Sequence, residues 1–87
     1  MAKTRPEQLV EQIETLLGVR HPELQWTAHY SANPYGDRVL RLTAATPDGS
    51  DQAISTVSWD RAERANTHDE LGTFVDEIAA PLVVQLI

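Results

Sequence analysis

Three histidines, thirteen carboxylates and a scatter of hydroxyls are the side chains of this 87-residue chain that could do chemistry, and their spacing brings none of them into a reactive set. His21, His29 and His68 fall on three separate segments, and none stands at the i, i+4 spacing by which two imidazoles on one helix hold a metal. The chain has no cysteine, which removes thiolate sites and disulfides. A nucleophilic serine needs a base beside it and a group to orient that base. Ser31, Ser50, Ser55 and Ser58 lie instead in strand and turn contexts, with no Gly-x-Ser-x-Gly among them. The four glycines are isolated, so no loop cradles a phosphate. The expectation is a chain without catalytic residues, cofactor or metal, and not an enzyme.

The carboxylates offer a different chemistry, that of charge. Thirteen acids against seven bases leave a formal charge of −6. This opposes sequence-independent binding of nucleic acid, which depends on Lys and Arg meeting phosphates. Asp69, Glu70, Asp76 and Glu77 gather near the start of the last helix, after the final base of the sequence, Arg64. Such a face can imitate a nucleic acid toward a basic protein. From 69 to 77 a helix advances about 12 Å, so the spacing is roughly one charge per 3 Å, against one per ~1.7 Å in duplex DNA. The imitation is partial.

The elements that position these groups follow from hydrophobic period. Leu9, Ile13, Leu16 and Leu17 mark one stripe of a helix over about Arg5–Leu17, with Thr4 and Glu7 at capping-box spacing. Gly18 is expected to end it in a left-handed turn, and Pro22 forbids continuation. Leu24–Ser31 alternates strictly: Leu24, Trp26, Ala28 and Tyr30 against Gln25, Thr27, His29 and Ser31. Arg38–Thr46 alternates likewise, and Gln52–Trp59 does so except at Ile54, where a bulge or a second buried face is expected. Asn33-Pro34-Tyr35-Gly36-Asp37 and Pro47-Asp48-Gly49 supply tight turns. Asp60–Asn66 is expected to be a polar connector holding at most one helical turn. Thr67 and Glu70 then form a second capping box, opening a helix whose stripe is Leu71, Phe74, Val75, Ile78 and Leu82 and whose course Pro81 kinks or restarts.

The chain is therefore expected to be one α+β domain over residues 1–87, in the order α-β-β-β-α: a three-stranded antiparallel meander with both helices on one face. This order resembles the topology of double-stranded-RNA-binding domains over almost the whole chain. The resemblance implies the fold order alone, since Thr67-His68-Asp69-Glu70 stands where that family carries its basic residues. The opposite sheet face is left open and carries Thr27, His29, Arg41, Thr43, Thr56 and Ser58. Tyr35, at a hairpin tip between Pro34 and Gly36, is a candidate contact residue.

The last turns are apolar nearly all round: Leu82, Val83, Val84, Leu86 and Ile87. One stripe suffices for the sheet, so Val83, Val84, Leu86 and Ile87 are candidates for self-association, most simply a twofold homodimer. No apolar run is long enough for a membrane span or a signal-peptide core, and with the absent cysteine this gives the expectation of a cytoplasmic protein, bacterial or phage-borne. The leading reading is a non-enzymatic protein-interaction module that self-associates through its C-terminal helix, with Tyr35, His29, Arg41, Asp69, Glu70, Asp76 and Glu77 as candidate contacts for a protein partner. The alternative is a small acidic inhibitor of a nucleic-acid-binding protein, of the phage counter-defence or anti-CRISPR type. A small enzyme or enzyme subunit is the third.

Overall fold

The computed structural model describes residues 5–87, so Thr4 of the first expected capping box lies outside the described residues. The first helix, α1, runs from Arg5 to Arg20. Strands β1 (Gln25–Ala32), β2 (Arg38–Ala45) and β3 (Gln52–Ser58) follow, then α2 (Trp59–Thr67) and α3 (Leu71–Leu86). The strands form one antiparallel sheet in the order β1-β2-β3. The expected α+β meander is present, with a third helix between the last strand and the final helix.

The register explains the core. Tyr30, Leu40 and Val57 lie abreast, as do Ala28, Leu42 and Ser55, and Trp26, Ala44 and Ala53. These residues share one face because successive side chains of a strand alternate. Against that face pack Leu9, Ile13 and Leu17 of α1, Trp59, Ala62 and Ala65 of α2, and Phe74, Val75, Ile78, Ala79 and Leu82 of α3, in one continuous cluster. Among the described residues no polar or charged residue is buried. The helices therefore lie on one side of the sheet, and apolar contact alone fills the space between.

Several boundaries depart from expectation. Gly18 does not end α1: the helix continues to Arg20, the His21 N–H bonds to the Leu17 carbonyl at 2.8 Å, and the glycine has no left-handed backbone. The extra residues carry Arg20 to Asp76 on α3, a partner distant in sequence, and Pro22 supplies the stop. Ile54 makes no bulge. The β2–β3 pairing runs unbroken from Val39↔Ser58 to Ala45↔Gln52, and Ile54 points outward, 58% exposed.

The Asp60–Asn66 connector is in truth most of a nine-residue helix. Trp59, Ala62 and Ala65 repeat every three residues along it and are all buried. Small alanines at those positions let a short, polar helix lie close to the sheet. Trp59 thus closes the strand pattern in sequence but opens a helix in space. Its indole stands edge-on to Tyr30 at 4.7 Å, and its Nε1–H donates to Glu63 Oε1 at 2.6 Å.

Thr67 ends α2 instead of opening α3. The Asp69 N–H bonds to the Asn66 carbonyl and the Glu70 N–H to the Ala65 carbonyl, while Asp69 sits at φ 57°. This is a Schellman ending with aspartate in the left-handed position that glycine usually fills. The next helix begins at once, with Glu70 as N-cap and no side-chain bond to its backbone. Pro81 lies on the exposed side of α3, and the helix runs through it to Leu86.

Candidate interaction site

The sheet gathers part of the expected open face into rows. His29 stands opposite Arg41, and Arg41 opposite Thr56; Thr27, Thr43 and Ile54 form the adjacent row. His29, Arg41 and Thr56 are exposed. Val39 and Ala45 of β2 share this face half-buried, whereas Ile54 is its large exposed apolar residue, and its misfit with the strict alternation of β3 is the signal that marks it.

Tyr35 projects from the first hairpin, 91% exposed. The loop beneath it is built rigidly. Asn33 Oδ1 accepts from the Tyr35 and Asp37 amides at 2.9 and 3.0 Å, and Gly36 takes φ 90° to return the chain. The second hairpin repeats the frame as Thr46-Pro47-Asp48-Gly49, with Gly49 at φ 73°. There the third position turns inward. Asp48 Oδ1 accepts from the Thr46 hydroxyl at 2.8 Å, the Ser50 hydroxyl at 2.8 Å and the Ser50 amide at 3.0 Å. The Ser50 amide bond, then the hydroxyls of Thr46 and Ser50, favour the charged form and lower the Asp48 carboxyl to about 2. This is a serine–acid contact, but it locks a turn and no histidine joins it.

The acidic residues do not form one free face. Asp69 and Glu70 belong to the joint before α3. Asp76 accepts from Arg20 at 2.6 Å and lies 3.4 Å from His21 Nε2, and Glu77 lies 3.6 Å from Arg61. Arg20 and Arg61 precede these acids by many residues, so only folding brings the counter-charges to them. Arg61 also lies over the Phe74 ring at 5.8 Å. Around β2, Arg38 reaches Asp60 at 2.7 Å and Glu63 at 3.4 Å, tying α2 to the sheet. Linear reading missed this network because its members lie on different elements, sixteen to fifty-six positions apart. Each such surface pair is worth at most about 1 kcal/mol.

The C-terminal run divides. Val83 and Leu86 pack against the core, whereas Val84 and Ile87 are 80% and 74% exposed. Ala80 and Pro81 are exposed as well. On a helix of 3.6 residues per turn, 80, 81, 84 and 87 fall within one strip. The outer side of the last turns of α3 is therefore an apolar stripe, continuous where the sequence suggested only an excess of apolar residues.

Two depressions in the surface are shallow. One between α2 and α3 is lined by Arg61, Arg64, Glu70, Phe74 and Glu77, and one beneath the first hairpin by Asp37, Arg38, Val39, Val57 and Asp60. Among the described residues no group of three His, Asp or Glu is placed to hold a metal ion, and no helix is long and apolar enough to cross a membrane. In comparisons with protein-family models, curated proteins and solved structures, nothing matches this chain, so its surfaces stand on their own chemistry.

Proposed function

We propose that the chain is a non-enzymatic protein-interaction module that self-associates through the outer stripe of α3. The observation that carries this reading is the row Ala80, Pro81, Val84 and Ile87: exposed apolar residues on the far side of a helix whose inner stripe already fills the core. A contiguous apolar strip left in water is characteristic of a contact surface. A second copy is its simplest partner, because a twofold pair lays one strip on another with no further recognition. The mimicry reading draws less support, since Asp76 and Glu77 spend their charge on Arg20 and Arg61.

Light scattering on a sizing column tests the proposal. The expected result is a mass above that of the monomer at high concentration, reduced in the double variant Val84→Lys, Ile87→Lys. These side chains are mostly in solvent, so the variant should keep its circular dichroism spectrum and stability within about 0.5 kcal/mol. A monomer mass for the parent chain at millimolar concentration, or an unaltered dimer in the variant, would remove the α3 interface.

A further inference from the structure

We infer that the free edge of β3 is a second interaction surface, and that its partner is β3 of another copy, paired antiparallel about Ser55. The two edges of the sheet differ in how they are closed. Antiparallel pairing alternates residues whose N–H and C=O point into the ladder with residues whose groups point away. The Ala28 amide points out of the β1 edge and donates to Glu14 Oε1 of α1 at 3.1 Å. Thus α1 lies along that edge and meets its central amide.

On β3 the groups pointing out are those of Gln52, Ile54, Thr56 and Ser58. The alternation follows from the Thr46 N–H to Asp51 carbonyl bond that continues the β2–β3 ladder. Among the described residues no protein group bonds the amide or carbonyl of Ile54 or Thr56 on this side. All four side chains are exposed. The strand also lacks the usual devices that blunt an edge: Gln52-Ala53-Ile54-Ser55-Thr56-Val57-Ser58 contains no charge, proline or glycine, and its pairing has no bulge.

The ends of the strand select the partner. The Gln52 amide is already taken by Asp51 Oδ1 at 2.9 Å, which leaves its carbonyl. Ser58 is the N-cap of α2, so its carbonyl turns into the helix and its amide remains. Pairing about Ser55 sets Ile54 against Thr56 of the second copy, where both bonds of an antiparallel pair can form. It sets Gln52 against Ser58, where the one remaining carbonyl meets the one remaining amide. Each free group finds its complement in the same strand read backwards. Within the paired strands Gln52–Ser58 there is no charge to meet its like, although each copy carries −6. On the open face the two Ile54 side chains approach diagonally across the axis. On the helix face the small side chains of Ser55 meet.

Backbone amide exchange followed by NMR tests this on the parent chain. The expected result is that the Ile54, Thr56 and Ser58 amides slow as concentration rises, while the Ala28 amide is unaffected. Thr56→Pro removes an outward donor without touching the β2–β3 ladder, and should weaken dimerisation at least about tenfold, the worth of one to two hydrogen bonds per pair. Val84→Lys, Ile87→Lys separates the two surfaces: persistence of the concentration-dependent amide protection in that variant supports strand pairing, and its disappearance assigns association to α3 alone. Amide rates independent of concentration would overturn the inference. So would protection that appears only on adding an unrelated extended peptide, such as an alternating Val-Thr heptapeptide, which would give the edge to a foreign strand.

Discussion

Asp48 shows how one side chain can be committed entirely to its own turn. Its carboxylate holds Thr46 and Ser50, and these bonds keep its pKa near 2 against an ordinary 3.8. Because the folded value is depressed, the carboxylate stabilises the fold at pH above the ordinary value, and the contribution is lost as pH falls toward 2. Thr46→Val, which removes one donor, is expected to raise the Asp48 pKa toward 3.8 in a carboxyl NMR titration. The stability deficit of that variant should be present at neutral pH and shrink between pH 4 and 2. The sequence disclosed this turn by residue type, since Pro47 and Gly49 are diagnostic. It did not disclose the bond set, which depends on the hairpin closing. Ile54 was legible in the same way. Its clash with strand alternation announced something unusual, but whether the cause was a bulge or an exposed side chain depended on the neighbouring strand.

At the scale of elements, α1, β1 and β2 were legible because their apolar periods are clean, β3 despite the break at Ile54, and α3 from its stripe although not at its start. What failed was the segment between β3 and α3. Trp59 continues the alternation of β3 and so hides the start of a helix, and a helix whose buried positions are Ala62 and Ala65 has almost no hydrophobic signal. Thr67 and Glu70 carry capping-box spacing, yet the backbone at Asp69 decides otherwise. That residue is the centre of the three-residue turn between the two helices, and its left-handed backbone costs an L side chain about 1–2 kcal/mol unless it is Gly, Asn or Asp. Asp69→Val is therefore expected to lower stability by about 1–2 kcal/mol in urea denaturation, whereas Asp69→Gly should keep it. An equal loss for both variants would mean that the carboxylate, and not the backbone, is what the joint needs.

At the scale of the whole molecule, the sheet has one side filled by three helices and one side open, and among the described residues no ionisable residue is buried as a whole. The candidate site was legible only in outline. Composition exposed the apolar surplus of the C-terminus, but the division between inward Val83 and Leu86 and outward Val84 and Ile87 is set by how α3 rolls against the sheet. The free acids were overcounted because their counter-ions come from α1 and α2. Charge nevertheless governs the association expected here. Two copies at −6 each repel, so dimerisation should strengthen as salt rises from 20 to about 300 mM. Binding to a basic partner would weaken over the same range. Sedimentation across that salt series distinguishes the two.

The two hairpins share a frame but use its third position in opposite ways. Where Asp48 is a bolt, Tyr35 is a free mast: nothing in the loop under it depends on what it carries, because Asn33 and Gly36 do the closing. Evolution can therefore exchange the residue at 35 without renegotiating the fold, which makes this tip the place where a module of this architecture can change whom it meets while remaining the same molecule.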